Sequence, residues 1–365
     1  MASIQKRGKT YQFTVSHIVN GVSKPVRKGG FKTKKEAQIA ASEVEAQLSK
    51  GILPHLKPMP FEDYFEKWMK LYKSNLTNTT KLHYDYTYRV IKVYFGSKPL
   101  QEIKRHDYQL FLNNFGANKA KETVEKVNIH IRSCVQDALE EQIIQHDFTR
   151  KAVLTWSNPA KKPEEKHLNY FETKRLLTVI YSLLEEGLGY YLILLGLTSG
   201  ARFGELVGLT RKDFDFKNNT ITINKTWGYA KRHPVGPTKN EASNRKIKLD
   251  KKTMNAFRRL FETVTPNLYG LVFYTPESKY RVISNTNANK LLQKTLQELG
   301  IDTITMHGLR HTHASVLLYR KVDINYVSER LGHSTIETTY KHYSHVLKEL
   351  REEEEKLTIE TFENM

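Results

Sequence analysis

The stretch from Thr305 to His345 reads TMHGLRHTHASVLLYRKVDINYVSERLGHSTIETTYKHYSH. It sets His307 and Arg310 one helical turn apart, then a Leu-Gly-His turn carrying His333, then the close pair Tyr340 and Tyr343. Residues three apart on a helix share a face. His307 therefore lies beside Arg310, and the two tyrosines lie together on a short helix expected from about Ile336. A cation, imidazoles and a phenol are the groups needed to grip a phosphate and attack it. Tyrosine starts protonated, with a pKa of about 10, and needs nearby cations or a base. Spacing alone leaves Tyr340 and Tyr343 both open, and packing is the ordinary role of a tyrosine in a chain with 20 of them.

A second cationic site lies upstream. Residues 198–209 read TSGARFGELVGL, directly after GYYLILLGL at 189–197, an apolar helix expected to be buried on all sides. Arg202 and Glu205 again stand one turn apart, either as a salt bridge or as a guanidinium held rigidly enough to fork onto two phosphate oxygens. Two such arginines would neutralise both non-bridging oxygens of one phosphodiester. Short strands follow, ITIN at 221–224 and RKIKL at 245–249, around a turn-rich, lysine-containing segment at 231–244. Serine and cysteine nucleophiles lack support, because there is no Gly-x-Ser-x-Gly elbow. The one cysteine, Cys134, falls on an amphipathic helix and reads as core filler. A metal site at His307, His311 and His313 is a competing arrangement, without an adjacent carboxylate or cysteine ligand.

The net charge of +19 and pI near 9.6 favour a polyanionic partner, nucleic acid above all. The alternative, an anionic membrane, lacks a bilayer-length apolar run. The start, MASIQKRGKTYQF, lacks a signal-peptide core, and a single cysteine suits a reducing compartment, so a cytoplasmic location is expected. The 365 residues suit two or three domains. Tyr11, Phe13 and Val15 alternate as a strand, Asn20-Gly21 signals a hairpin, and Val22 to Phe31 returns as further strand. Thr33 to Glu36 reads as a capping box opening a helix to about Leu48. This module is strongly basic and could lie in a DNA groove through Lys6, Arg7, Lys9, Lys24, Arg27 and Lys28. The proline-rich GILPHLKPMP at 51–60 reads as a linker. Helical periodicity then covers 61–72, 77–96, 106–115 and 121–144, a small bundle with short connections. On it Lys81, Arg89, Lys119, Lys121 and Lys126 are candidate phosphate contacts, as is Arg245 further on. A break at 158–165 precedes a helix expected from Thr173. The fold class expected is mainly α with small β-sheets (α+β).

Five motifs in order then resemble the tyrosine recombinases, and among them the integrases of phages and integrative elements. These are Ala-Arg-x-Gly-Glu-Leu at 201–206, Thr-Lys-Asn-x-x-Ser-x-Arg at 238–245, His-Gly-Leu-Arg-His-Thr at 307–312, Leu-Gly-His-Ser at 331–334 and Thr-Thr-x-x-x-Tyr-Ser-His at 338–345. The resemblance implies three domains. These are an arm-type DNA-binding domain at 1–52, a helical core-site-binding domain at 60–157 and a catalytic domain at 166–365 with a tail from 346. It assigns Arg202 and Arg310 to the phosphate clamp, His307 and His333 to the two histidine positions, and Glu205 to the supporting acid. Lys239 becomes the general acid for the leaving 5′ oxygen. Tyr343 becomes the nucleophile, because the family's tyrosine is closely followed by a pair such as His345-Val346. It implies no cofactor: a phosphotyrosyl ester conserves the bond energy, so neither ATP nor a metal is required. The implied partners are core and arm attachment sites in DNA, three further copies in a tetramer, and accessory excisionase or host DNA-bending proteins. A Xer-like resolvase, a type IB topoisomerase-like enzyme and a non-enzymatic DNA-binding regulator are the alternatives. The amphipathic tail, with Val346, Leu347, Leu350 and Leu357 on one period, can fold back on its own domain or dock on a neighbour, and the resemblance implies docking on a neighbouring subunit.

Overall fold

The computed structural model describes residues 2–19, 22–23, 25–49, 58–159, 163–228, 235–238 and 240–363. The Asn20-Gly21 turn, Lys24, most of the 51–60 linker and Lys239 therefore lie outside the described residues, as do the side chains of Val346, Leu347, Leu350 and Leu357. The chain divides into two compact units, Met1–Ala160 and Lys161–Met365.

In the first unit, β1 (Ser3–Arg7) and β2 (Thr10–Val15) form an antiparallel pair. The short strands β3 (Ile18–Val19) and β4 (Val22–Ser23) pair with each other, and β5 (Val26–Phe31) completes a β1-β2-β5 sheet. The alternation along β2 buries Phe13 and Val15, which pack with Val26 of β5 and Ala41 of α1 (Lys34–Ser49). Helix α1 starts as expected: Thr33 Oγ1 accepts from Glu36 N at 3.2 Å, and the Glu36 carboxylate reaches back to Lys32 N at 3.0 Å.

Four helices follow: α2 (Phe61–Tyr72), α3 (Asn78–Phe95), α4 (Arg105–Gly116) and α5 (Lys121–Glu140). Phe61, Phe65, Trp68, Ile91, Tyr108, Leu112, Ile131 and Cys134 meet in one core. Buried polar tips are satisfied, Tyr108 Oη by Asn128 Oδ1 at 2.8 Å and Trp68 Nε1 by Asp137 Oδ2 at 2.5 Å. Helix α5 ends four residues before the expected Ile144. Gln142 turns left-handed at φ 59°, and the Ile143 and Ile144 amides fold back onto the Ala138 carbonyl. Ile144 still enters the core, which explains why its hydrophobicity extended the helical period.

The second unit is built around α7 (Leu188–Ser199), whose residues Tyr191 to Leu197 are all buried. Helix α6 (Tyr170–Ser182) begins three residues before Thr173, because Asn169 and Glu172 close a reciprocal capping box. After α7 come α8 (Phe203–Val207) and β6 (Phe214–Asp215), β7 (Thr220–Ile223), β8 (Thr226–Trp227), β9 (Val235–Gly236) and β10 (Arg245–Lys248). The sheet order is β10-β7-β6, with β8 and β9 a separate pair. The remaining helices are α9 (Lys251–Thr263), α10 (Asn285–Glu298), α11 (Met306–Tyr319), α12 (Ile324–Leu331) and α13 (Ile336–Glu363). This mainly helical frame with small antiparallel sheets is the α+β class expected. The helix from Ile336 is long rather than short. Among the described residues no helix is long and apolar enough to cross a membrane.

Leu194, wholly buried at the centre of α7, carries no polar function. Leu194→Ala is expected to lower stability by about 2–5 kcal/mol through lost burial and a residual cavity, read by urea unfolding.

Candidate active site

Glu205 is the fixed point of the site. It sits on α8 at 1% exposure, and Arg202 precedes that helix. Glu205 Oε2 accepts from the Arg202 amide at 2.9 Å, while Oε1 accepts from Arg202 Nη1 at 2.8 Å. Arg245 at the start of β10 adds Nη2 to Oε2 at 2.9 Å. Burial alone would raise the Glu205 pKa, but the Arg245 charge and the hydrogen bonds from both arginines reverse this and hold it below the ordinary carboxylate value.

Arg202 is tied further to Ser243 Oγ at 3.0 Å and, through Nη2, to the Gly332 carbonyl at 3.1 Å. Gly332 closes α12 with φ at 69°, and a Cβ there would meet the Ala242 carbonyl at 2.9 Å. Arg310 on α11 uses Nη1 for the neighbouring Leu331 carbonyl at 2.7 Å and for the Gly200 carbonyl at 2.9 Å. Both guanidinium groups thus hang from consecutive carbonyls of one turn. The Nη2 of Arg310 is buried without a hydrogen-bond partner, which is costly unless an anion completes it. Burial and then the Arg202 charge lower the Arg310 pKa, yet a guanidinium remains protonated at neutral pH.

His333 follows that turn, and its Nδ1 pairs with Thr339 Oγ1 at 2.7 Å. Burial, then Arg310 and Arg202, push its pKa down to about 3. His307, on the same face of α11 as Arg310, keeps one side of its ring open to solvent while the rest faces the site; this partial loss of solvation, then the Arg310 and Arg202 charges, lower its pKa.

Tyr343 and Tyr340 differ sharply. Tyr340 is 60% exposed, whereas Tyr343 is 2% exposed and packs against Ala314, Leu318, Val327 and Leu331 from α11 and α12. Its Oη lies 2.8 Å from His311 Nδ1. Burial raises the Tyr343 pKa, with Arg310 pulling the other way.

Arg202, Glu205, Arg310, His333 and Tyr343 are thus joined through α8, the turn after α12, α11 and α13, with His307 beside them. Lys239 lies outside the described residues. Arg245 differs from its expectation as a DNA contact. Its guanidinium is buried and spent on Glu205, the Arg330 carbonyl at 2.7 Å and the Ser243 carbonyl at 2.7 Å, so it is a brace. In the competing metal arrangement His313 is not available: its Nδ1 bonds the Leu197 carbonyl and its Nε2 accepts from Arg330 Nε, both at 2.9 Å. Among the described residues no group of three or more His, Cys, Asp or Glu could hold a metal ion. Lys6, Arg7, Lys9, Arg27, Lys28, Lys81, Arg89 and Lys126 are exposed. Lys119 and Lys121 are half-buried, and the Lys121 ammonium lies 5.0 Å from the Trp156 ring centroid. His311 was read only as a ligand in the competing metal arrangement, and its hydrogen bond with Tyr343 was not foreseen. The signal was its place next to Arg310 and one turn from His307.

Two guanidinium groups held by one turn, with a buried tyrosine and histidines of lowered pKa nearby, make a donor set suited to an anion such as a phosphate. Residues 167–349 match the phage integrase family, residues 3–48 an arm DNA-binding domain, and residues 60–115 the SAM-like N-terminal domain of phage integrases. The chain belongs to the phage integrase family and is a DNA-binding, tyrosine-type site-specific recombinase. It is 25% identical over 345 residues to the integrase of Staphylococcus phage L54a, across 86% of this chain and 97% of that one. A XerC-like tyrosine recombinase of Caldanaerobacter subterraneus subsp. tengcongensis is 26% identical over 375 residues, across 94% of each chain. In fold, the Tn1549 transposon integrase in complex with transposon right end DNA superposes with a TM-score of 0.68 at 19% identity, across 82% of this chain and 100% of that one. XerH in its post-cleavage complex with palindromic difH substrate gives 0.58 at 18% identity, across 88% of each.

His311, His313 and His333 are all held near a pKa of 3, so the folded chain binds their protons only far below the unfolded value of about 6.5. Their contribution to stability is complete above that value and is lost as pH falls toward 3. Urea unfolding between pH 7 and 4 should show uptake of up to three protons from this trio, and a His313→Gln variant should flatten the slope.

Proposed function

We propose that this chain integrates and excises a mobile DNA element, cleaving and rejoining attachment sites through a 3′-phosphotyrosyl intermediate and a Holliday junction. The observation that carries the reading is the pair of guanidinium groups hung from Leu331 and Gly332, with the Nη2 of Arg310 unpartnered and the buried Tyr343 within reach of the Arg310 charge. One phosphodiester would complete that donor set. Arg202 and Arg310 would bind the non-bridging oxygens and offset the charge that grows there as phosphorus becomes pentavalent. His307 and His333 would add neutral hydrogen-bonding contacts, and Glu205 would fix Arg202 without touching DNA. Tyr343 would attack, and Lys239 would protonate the leaving 5′ oxygen, a far stronger base than a phenolate. The phosphotyrosyl ester is close in energy to the bond broken, so reversal by the other strand's 5′ hydroxyl needs no added energy source.

Three domains at 1–52, 60–157 and 166–365 would divide the work. The basic sheet of the first would grip arm sites, with Lys6, Arg7, Lys9, Lys24, Arg27 and Lys28 as phosphate contacts. The bundle would hold the core site through Lys81, Arg89, Lys119, Lys121 and Lys126. Recombination of paired sites requires four copies, with the tail from 346 docking between subunits and with excisionase and host DNA-bending proteins assisting. The enzyme would work in the cytoplasm, on the nucleoid. The arm domain favours this reading over a Xer-like resolvase or a type IB topoisomerase, for which no such module is expected, and the clamp and tyrosine favour it over a regulator.

On a nicked suicide substrate, Tyr343→Phe should bind DNA normally and form no covalent adduct, while Tyr340→Phe should form it as wild type does. Arg310→Ala should slow adduct formation by about 10²–10³-fold or more. An adduct surviving in Tyr343→Phe would refute the assignment.

A further inference from the structure

We propose that His311 is the proton acceptor for the strand-cleaving tyrosine, taking the Tyr343 Oη proton on Nδ1 during attack and returning it during rejoining. The proposal rests on the reading of Tyr343 as the nucleophile. Three observations carry it. The Oη to Nδ1 separation of 2.8 Å is within the reach a general base requires. The phenol ring is fixed by Ala314, Leu318, Val327 and Leu331, so its hydroxyl is held on that nitrogen rather than sweeping past it. The other imidazoles are placed differently: His333 Nδ1 is engaged with Thr339, and His307 and His342 are exposed. In the tautomer carrying its proton on Nε2, His311 accepts from the phenol.

The groups facing His311 explain when it would act. From its own helix come His307 and Arg310, from α13 His342 and Tyr343, and from the segment before α6 His167, all cationic or neutral groups among the described residues. Burial and these neighbours hold the free imidazole at a pKa of about 3, so without DNA it cannot draw the proton from a phenol that is itself raised. A phosphodiester seated on Arg310 Nη2 brings a negative charge into this cationic cluster and restores basicity to the ring. Tyrosine ionisation would thus be tied to the presence of the scissile phosphate. In the forward step the Oη–P bond forms as the P–O5′ bond breaks, the Oη proton passes to His311, and the 5′ oxygen takes its proton from the general acid of the site. In rejoining each transfer runs backward, so the imidazolium protonates the departing phenolate.

The test is single-turnover adduct formation on a nicked suicide substrate from pH 6 to 10, comparing wild type with His311→Asn, whose Oδ1 replaces the Nδ1 acceptor but is not basic. The expected result is DNA binding like wild type, cleavage about 100-fold slower at pH 7.5, and a rate rising about tenfold per pH unit while wild type levels off. A His311→Asn rate within about threefold of wild type at every pH would overturn the proposal. So would a variant that binds DNA yet stays silent up to pH 10, since lost basicity alone is restored by hydroxide. His311→Gln, read in the same way, replaces Asn if that variant does not bind. Either failure leaves Tyr343→Phe inactive and the Tyr343 reading intact. An adduct in Tyr343→Phe would remove both.

Discussion

A single buried carboxylate organises the catalytic unit. Glu205 holds Arg202 by backbone and side chain and Arg245 by side chain, and through them it reaches the Gly332 and Arg330 carbonyls at the end of α12. Three segments far apart in sequence are thus locked by one negative charge with its oxygens satisfied by cationic donors. Removing one partner of such a buried cluster leaves uncompensated charge and typically costs about 3–5 kcal/mol. The cluster also carries more positive than negative charge, since Arg310 lies beside it with its Nη2 unpaired. That imbalance is what a DNA phosphate would correct.

The electrostatics extend to the imidazoles. The same cations and the same burial that ready the site for an anion keep His311 and His333 neutral. Neutral rings avoid adding repulsion around the arginines, and they retain an acceptor nitrogen, which an imidazolium lacks. The raised pKa of Tyr343 follows from the same burial. The resting site is therefore poised and quiet, and its chemistry depends on what binds.

Much of this was legible in the sequence. The cap at Thr33 and the unbroken apolar run of α7 fix helices through local hydrogen bonds and burial, both readable from spacing. The C-terminal end of α5 and the start of α6 were misplaced because a left-handed Gln142 and an Asn169 cap are local choices that hydrophobic period does not encode. The proximity of Arg202 to Glu205 was legible as an i, i+3 pair. The role of Arg245 was not, because a basic residue in a strand looks the same whether it faces DNA or a carboxylate 40 positions away. The Tyr343 contact with His311 spans 32 positions and two helices, so only the packing of α13 on α11 reveals it. The same packing separates Tyr343 from Tyr340, which spacing alone left equivalent.

The chemistry proposed for this site turns on whether the tyrosine packed between α11 and α12 becomes joined to DNA. The most direct measurement is to trap the wild-type adduct on a suicide substrate, trim the DNA with nuclease, digest the protein and locate the residual nucleotide by tandem mass spectrometry. The nucleotide is expected on Tyr343, with Tyr340 unmodified. A nucleotide on Tyr340, or on any residue other than Tyr343, would contradict that chemistry.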